Sequence, residues 1–185
     1  MTAPLERVFE PGVFIGLLVE KQVAPDFVQK EAAKNGLLEK PEFHISVLVA
    51  RNAQLAWKAA AQRDDATELR DAIESLFRSY TWEYTLTHGY FLHERAYSKK
   101  DLIENGYGED IPEHTRRSVV QKIALPELSL FYAKLNEMLK IVLPVPIPHI
   151  TLFAWSDYEP FKTRGIGINS KEEFEQFTKQ ALVAH

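Results

Sequence analysis

Residues 43–49 read Phe-His-Ile-Ser-Val-Leu-Val, and residues 149–155 read His-Ile-Thr-Leu-Phe-Ala-Trp. Both runs are short and rich in β-branched and aromatic residues, with polar groups at alternate positions, which predicts strands. Residues i and i+2 of a strand point the same way, so His44 shares a face with Ser46 and His149 with Thr151, while Ile45, Val47, Ile150 and Leu152 turn to the core. Each run therefore carries one pattern: His, apolar, hydroxyl, apolar. With this chain's composition and its six histidines, about 0.1 such matches are expected by chance, and two in fewer than about one sequence in a hundred. A single strand histidine reads as an ordinary core-edge residue; two in the same pattern read as a site.

Working outward, Val13 to Val19 is an apolar run bounded by Pro11-Gly12 and predicts a buried strand. A helix is expected from Pro25 through Phe27, Val28 and Glu31 to a stop at Asn35-Gly36. Asp65 to Tyr80 shows helical spacing of Leu69, Ile73, Leu76, Phe77 and Tyr80. Trp82 to Leu92 predicts a strand broken at Gly89, Arg95 to Arg117 a long irregular loop with at most a helical turn, and Ser118 to Leu125 another strand. Leu128, Phe131, Leu135, Met138 and Leu139 mark a helix that Pro144, Pro146 and Pro148 end. Ser170 to Glu173 has the form of a capping box opening a last helix through Phe174 and Phe177. This order contains two similar β-α-β halves and predicts an α+β protein, mostly antiparallel, with a cleft between two lobes of one domain spanning 1–185.

The 185 residues include 22 Lys and Arg against 26 Asp and Glu, a net charge of −4. That balance lacks the dense basic surface a general duplex-DNA binder needs. There is no cysteine, which excludes disulfides, zinc-thiolate sites, iron-sulfur clusters and a thiol nucleophile. Met1 to Pro11 lacks a basic start and an apolar stretch, and Val13 to Val19 is too short to span a bilayer. A cytoplasmic protein is expected.

Two imidazoles facing one cleft meet the demand of phosphodiester cleavage: a neutral ring accepts a proton from the attacking oxygen and a protonated ring gives one to the leaving oxygen. Ser46 and Thr151 can donate hydrogen bonds to nonbridging oxygens. With these motifs the sequence resembles the two-histidine (2H) phosphoesterases, which include RNA 2',3'-cyclic phosphodiesterases and 2'-5' RNA ligase-like proteins. Arg116 to Gln121 and Gly165 to Ile168 look similar to features of a bacterial branch. The resemblance implies catalytic roles for His44 and His149, phosphate-binding roles for Ser46 and Thr151, and a bilobal α+β fold with two antiparallel sheets flanking a central cleft and helices outside. It further implies a hydrolase with no cofactor or metal, acting as a monomer on a small nucleotide or RNA terminus. The histidines lie 105 positions apart, more than in compact members, which implies an added loop at the groove. The alternative from the same residues is a noncatalytic nucleotide- or RNA-end-binding module.

Arg117 and Gln121 share a strand face and are expected to reach a phosphate or base; Tyr158 is placed to stack on a base. His88, His93 and His114 lack the pattern, no carboxylate stands at a metal-ligand spacing, and Gly165-Ile-Gly167 reads as a turn.

Overall fold

The computed structural model describes residues 6–10 and 14–184. Pro11, Gly12 and Val13, the expected boundary and first residue of a strand, lie outside the described residues. The strands are β1 (Glu6–Glu10), β2 (Phe14–Val19), β3 (Leu38–Glu39), β4 (Phe43–Val49), β5 (Thr85–Tyr97), β6 (His114–Ala124), β7 (His149–Ser156) and β8 (Thr178–Leu182). The helices are α1 (Asp26–Lys34), α2 (Ala50–Ala61), α3 (Ala66–Ser79), α4 (Lys99–Glu104), α5 (Glu127–Leu139) and α6 (Lys171–Phe177), with one 3-10 turn at Glu159–Phe161.

Alternation sets the strands. β4 buries Phe43, Ile45 and Val47, and β7 buries Ile150 and Leu152, leaving the motif histidines and hydroxyls on the opposite face. Each fully buried Ile or Leu contributes about 1.5–3 kcal/mol. Against that buried face pack Val28 and Ala32 of α1, Ala56 and Trp57 of α2, Ile73 and Phe77 of α3, and Phe131 and Leu135 of α5. Gly36, at φ +68°, closes α1. α5 stops at Lys140, which takes a left-handed φ of 55° ahead of the proline-rich segment.

Two sheets were expected; the described strands form one antiparallel sheet of eight, ordered β1-β2-β4-β7-β6-β5-β8, with β3 also on β7. The join is a single residue pair, Ile45 with Ile150. Because these two isoleucines hydrogen-bond the motif strands edge to edge, the cleft lies over one face of the sheet instead of between two sheets. The order β1-β2-β4-β7-β6-β5 reads the same from either end when β1 is exchanged with β5, β2 with β6 and β4 with β7. Each half is a hairpin, a helix (α1 or α5) and a motif strand.

The loop expected over 95–117 is mostly regular: β5 continues to Tyr97, α4 follows, and β6 begins at His114, leaving 105–113 irregular. At its two ends Arg95 and Arg116 belong to a buried stack, each 4.5 Å from the Tyr97 ring with His114 stacked on Tyr97 at 5.3 Å, while Lys99, Lys100, Glu104, Glu109 and Asp110 are exposed. The capping box is half made: Ser170 Oγ accepts from Glu173 N, while the Glu173 carboxylate accepts from Asn169 N. No helix among the described residues is long and apolar enough to cross a membrane.

Candidate active site

The Ile45–Ile150 pair sets the motifs against each other. In antiparallel register its neighbours make a square on the opposite face, His44 beside Thr151 and Ser46 beside His149, with the histidines on one diagonal and the hydroxyls on the other. Such a diagonal separates Cα atoms by about 7–8 Å, within reach of two imidazoles converging on one phosphate. All four side chains line one cleft of about 610 Å³.

Both motif strands are bulged at the same offset. Gly16 pairs with Ser46 but Ile15 with Leu48, so Val47 is the extra residue; Val120 pairs with Thr151 but Val119 with Phe153, so Leu152 is the extra residue. In each motif the fourth residue is the bulge, directly after the hydroxyl. A bulge bends its strand and re-aims the adjoining side chains, and here it falls at the same motif position in the two halves.

The surroundings of the two rings differ. His149 Nδ1–H donates to the Ile147 carbonyl at 2.8 Å, since a carbonyl only accepts, and this leaves Nε2 for the cleft. His44 packs edge-on to Phe14 at 5.1 Å. Gly16 permits this, because a Cβ there would stand 2.2 Å from Phe14 Cζ and 2.7 Å from the Ile45 carbonyl oxygen. Burial, then the charge of Lys40, then His149 push His44 down to about 4. Burial also lowers His149, opposed by the Ile147 hydrogen bond. Both rings are therefore neutral at pH 7 in the free site.

Two cations absent from the sequence-based expectations line the same cleft, Lys40 and Arg164. Lys40 Nζ donates to the Thr163 carbonyl at 3.0 Å, and its pKa is lowered by burial and then by Arg164, with Glu42, the cleft's carboxylate, opposing. Arg164 lies 4.9 Å from both the Tyr107 and Phe161 rings. The only sequence signals were proximity: Lys40 stands four residues before His44, and Arg164 directly precedes Gly165-Ile-Gly167. That glycine segment forms a wall, where a Cβ at Gly165 would stand 3.2 Å from Thr151 Oγ1. From the α4–β6 loop, Asn105 to Gly108 and Ile111 also line it.

Arg117, Gln121 and Tyr158 do not line the cleft. Val120 pairs with Thr151, so odd-numbered β6 residues face away from it. Arg117 Nε donates to Glu94 at 2.7 Å, and the guanidinium covers Trp155. Gln121 is buried and donates to the Thr87 carbonyl and the Tyr90 hydroxyl. Tyr158 packs on His114 and Phe161. Arg116 is the arginine on the cleft side, fully buried and donating to His114 Nε2, the Tyr107 hydroxyl and the Gly165 carbonyl, so it braces two cleft walls from behind.

The remaining histidines have other work. His114 Nδ1–H donates to the Pro112 carbonyl, and its Nε2 accepts from Arg116. His93 is buried edge-on against Phe174, and burial followed by the charge of His149 lowers it to about 3. His88 is exposed. Among the described residues no three His, Asp or Glu side chains gather as metal ligands. The chain matches no family model, no curated protein and no solved structure.

Proposed function

We propose that this chain is a phosphodiesterase that cleaves 2',3'-cyclic or 2'-5'-linked phosphodiesters of small nucleotides or RNA ends by two-histidine acid–base catalysis. The observation that carries the reading is the square of His44, Ser46, His149 and Thr151, with a bulge after the hydroxyl in both motifs. The palindromic strand order supports the finer reading of the fold as a two-lobed 2H type, each half giving one motif to a shared groove.

In this reading the phosphate sits over the square. Ser46 and Thr151 donate to its nonbridging oxygens, and Lys40 and Arg164 offset its charge. One neutral imidazole takes the proton of the attacking water or ribose hydroxyl, a new P–O bond forms, the old one breaks, and the other ring, protonated, delivers its proton to the departing ribose oxygen. Burial lowers both rings; the charge of Lys40 lowers His44 further, whereas the Nδ1–H bond to the Ile147 carbonyl opposes the lowering of His149. On these contacts we assign His44 as the base and His149 as the acid, charged as the anionic substrate binds. No step needs a metal ion.

The test is a turnover screen in EDTA over 2',3'-cyclic nucleotides, 2'-5' dinucleotides and RNA ends bearing a cyclic phosphate. Turnover of at least one class is expected. Binding of these compounds with no turnover would assign the chain to the noncatalytic alternative, and turnover only after adding a divalent ion would redirect it to metal-assisted chemistry.

A further inference from the structure

A second hollow, of about 360 Å³, opens on the far side of Ile147 from the cleft, and Ile147 lines both. Its apolar walls are Ile147, Phe91 and Phe174, the two rings meeting edge to face at 5.2 Å. Lys122, Lys171, Glu175 and Thr178 supply its polar rim. The hollow is anchored to the site by register: Lys122 of β6 pairs directly with His149 of β7. Paired residues share a face and stand about 4.5–5.5 Å apart at Cα. Lys122 is exposed and has no ion-pair partner among the described residues, whereas Lys171 is 3.8 Å from Glu175. The hollow therefore carries one uncompensated cation beside the catalytic histidine.

The floor is fixed by a buried polar contact. Thr178 Oγ1 donates to the Phe174 carbonyl at 2.7 Å, so it accepts from His93 Nε2–H at 3.0 Å, and the His93 ring packs 4.5 Å from that of Phe174. The aromatic wall is thus held before any ligand arrives. An apolar hollow walled by two aromatic rings, with an unpaired ammonium beside His149, suits a nucleobase and its sugar-phosphate link.

We propose that this hollow is a second nucleotide subsite, so that the chain favours substrates with a nucleotide beyond the one bearing the reacting phosphate over mononucleotides. The inference rests on the phosphodiester reading of the cleft, and the experiment separates the two. Uridine 3'-phosphate and the uridine dinucleotide ending in a 3'-phosphate, neither requiring turnover, are titrated against the full chain across a salt series. The dinucleotide is expected to bind about tenfold more tightly. Lys122→Ala should collapse that ratio toward one and reduce the dinucleotide's slope of log affinity against log salt by about 0.7, while Lys122→Arg preserves both. Equal binding of the two ligands, or a ratio and salt slope untouched by Lys122→Ala, overturns the subsite. A Lys122-dependent length preference without hydrolysis of any diester leaves the subsite standing and removes the proposed reaction; hydrolysis with no length preference does the reverse.

Discussion

The β2–β4 half and the β6–β7 half build the same backbone device and then surround it differently. Both offer His-apolar-hydroxyl, both insert one extra residue directly after the hydroxyl, and both turn the apolar partners into the main core. Around His149, however, the Ile147 carbonyl fixes Nδ1–H, whereas around His44 there is an aromatic edge and the charge of Lys40. Duplicated geometry with unequal electrostatics is what acid–base catalysis needs, because two identical imidazoles would compete for one role.

The largest effects should come from breaking either half at its ring. His44→Ala and His149→Ala should each lower kcat/KM by about a hundredfold or more, with the fold intact by circular dichroism; the double variant should be little worse than the poorer single, since the rings act as a unit. Removing the hydroxyls tests the symmetric part of the device. Ser46→Ala and Thr151→Val should each cost about tenfold to a hundredfold in kcat/KM, the range of one hydrogen bond to a charged group, and by similar amounts in the two halves. A tenfold disparity between them would mean that the phosphate is not centred on the square.

The pH profile sharpens the unequal part. In the proposed reaction only the form with one proton shared by the pair is productive, and burial lowers both rings below 6.5, His44 to about 4. The bell of kcat/KM should therefore lie on the acid side of 6.5, its limbs belonging to the coupled pair. The kcat bell should be displaced upward, because a bound anion favours imidazolium. Steady-state rates from pH 4 to 8 check this, and a kcat/KM maximum above pH 7 would contradict it.

Stability follows the same protons. Unfolded histidine titrates near 6.5, while His44 and His93 in the folded chain stay neutral down to about 4 and about 3. The unfolded state thus binds more protons in this window, so stability is full above pH 6.5 and falls as pH drops toward 4, by about 1.4 kcal/mol per pH unit for each ring. Urea midpoints at pH 7, 5.5 and 4.5 should show this slope, and His93→Phe should remove one ring's share. The smallest effect belongs to Arg117→Ala, which should leave kcat/KM within about twofold, since its partner Glu94 lies on the face away from the cleft.

The parts legible in the sequence were those set by local alternation and helical spacing: the motif strands, α1, α3, α5 and the face carrying His44, Ser46, His149 and Thr151. Long-range register was not legible. Counting along β6 cannot say whether Arg116 or Arg117 faces the cleft, which only the Val120–Thr151 pairing decides. Nor can it reveal that one pair, Ile45 with Ile150, fuses two expected sheets into one. Buried charge misled the reading of 95–117, where Arg95 and Arg116 stack on Tyr97 inside strands whose sequence is that of a loop. The buried stripe of α2, Ala53, Ala56, Trp57 and Ala60, is mostly alanine, and the helix begins at Ala50 with a φ of 47° directly after β4 with no capping side chain, so nothing in its sequence announces a start.

The most direct measurement of the unequal-halves account compares His44→Ala and His149→Ala on two diesters, one with a ribose leaving group and one with an activated phenolate, in EDTA at pH 6. A phenolate departs without a proton, so the variant lacking the acid should recover. His149→Ala is predicted to return to within about tenfold of the wild-type rate on the phenolate ester, while His44→Ala remains about a hundredfold or more below it. Equal recovery of both variants, or of neither, would contradict the assignment of different proton-transfer roles to the two histidines.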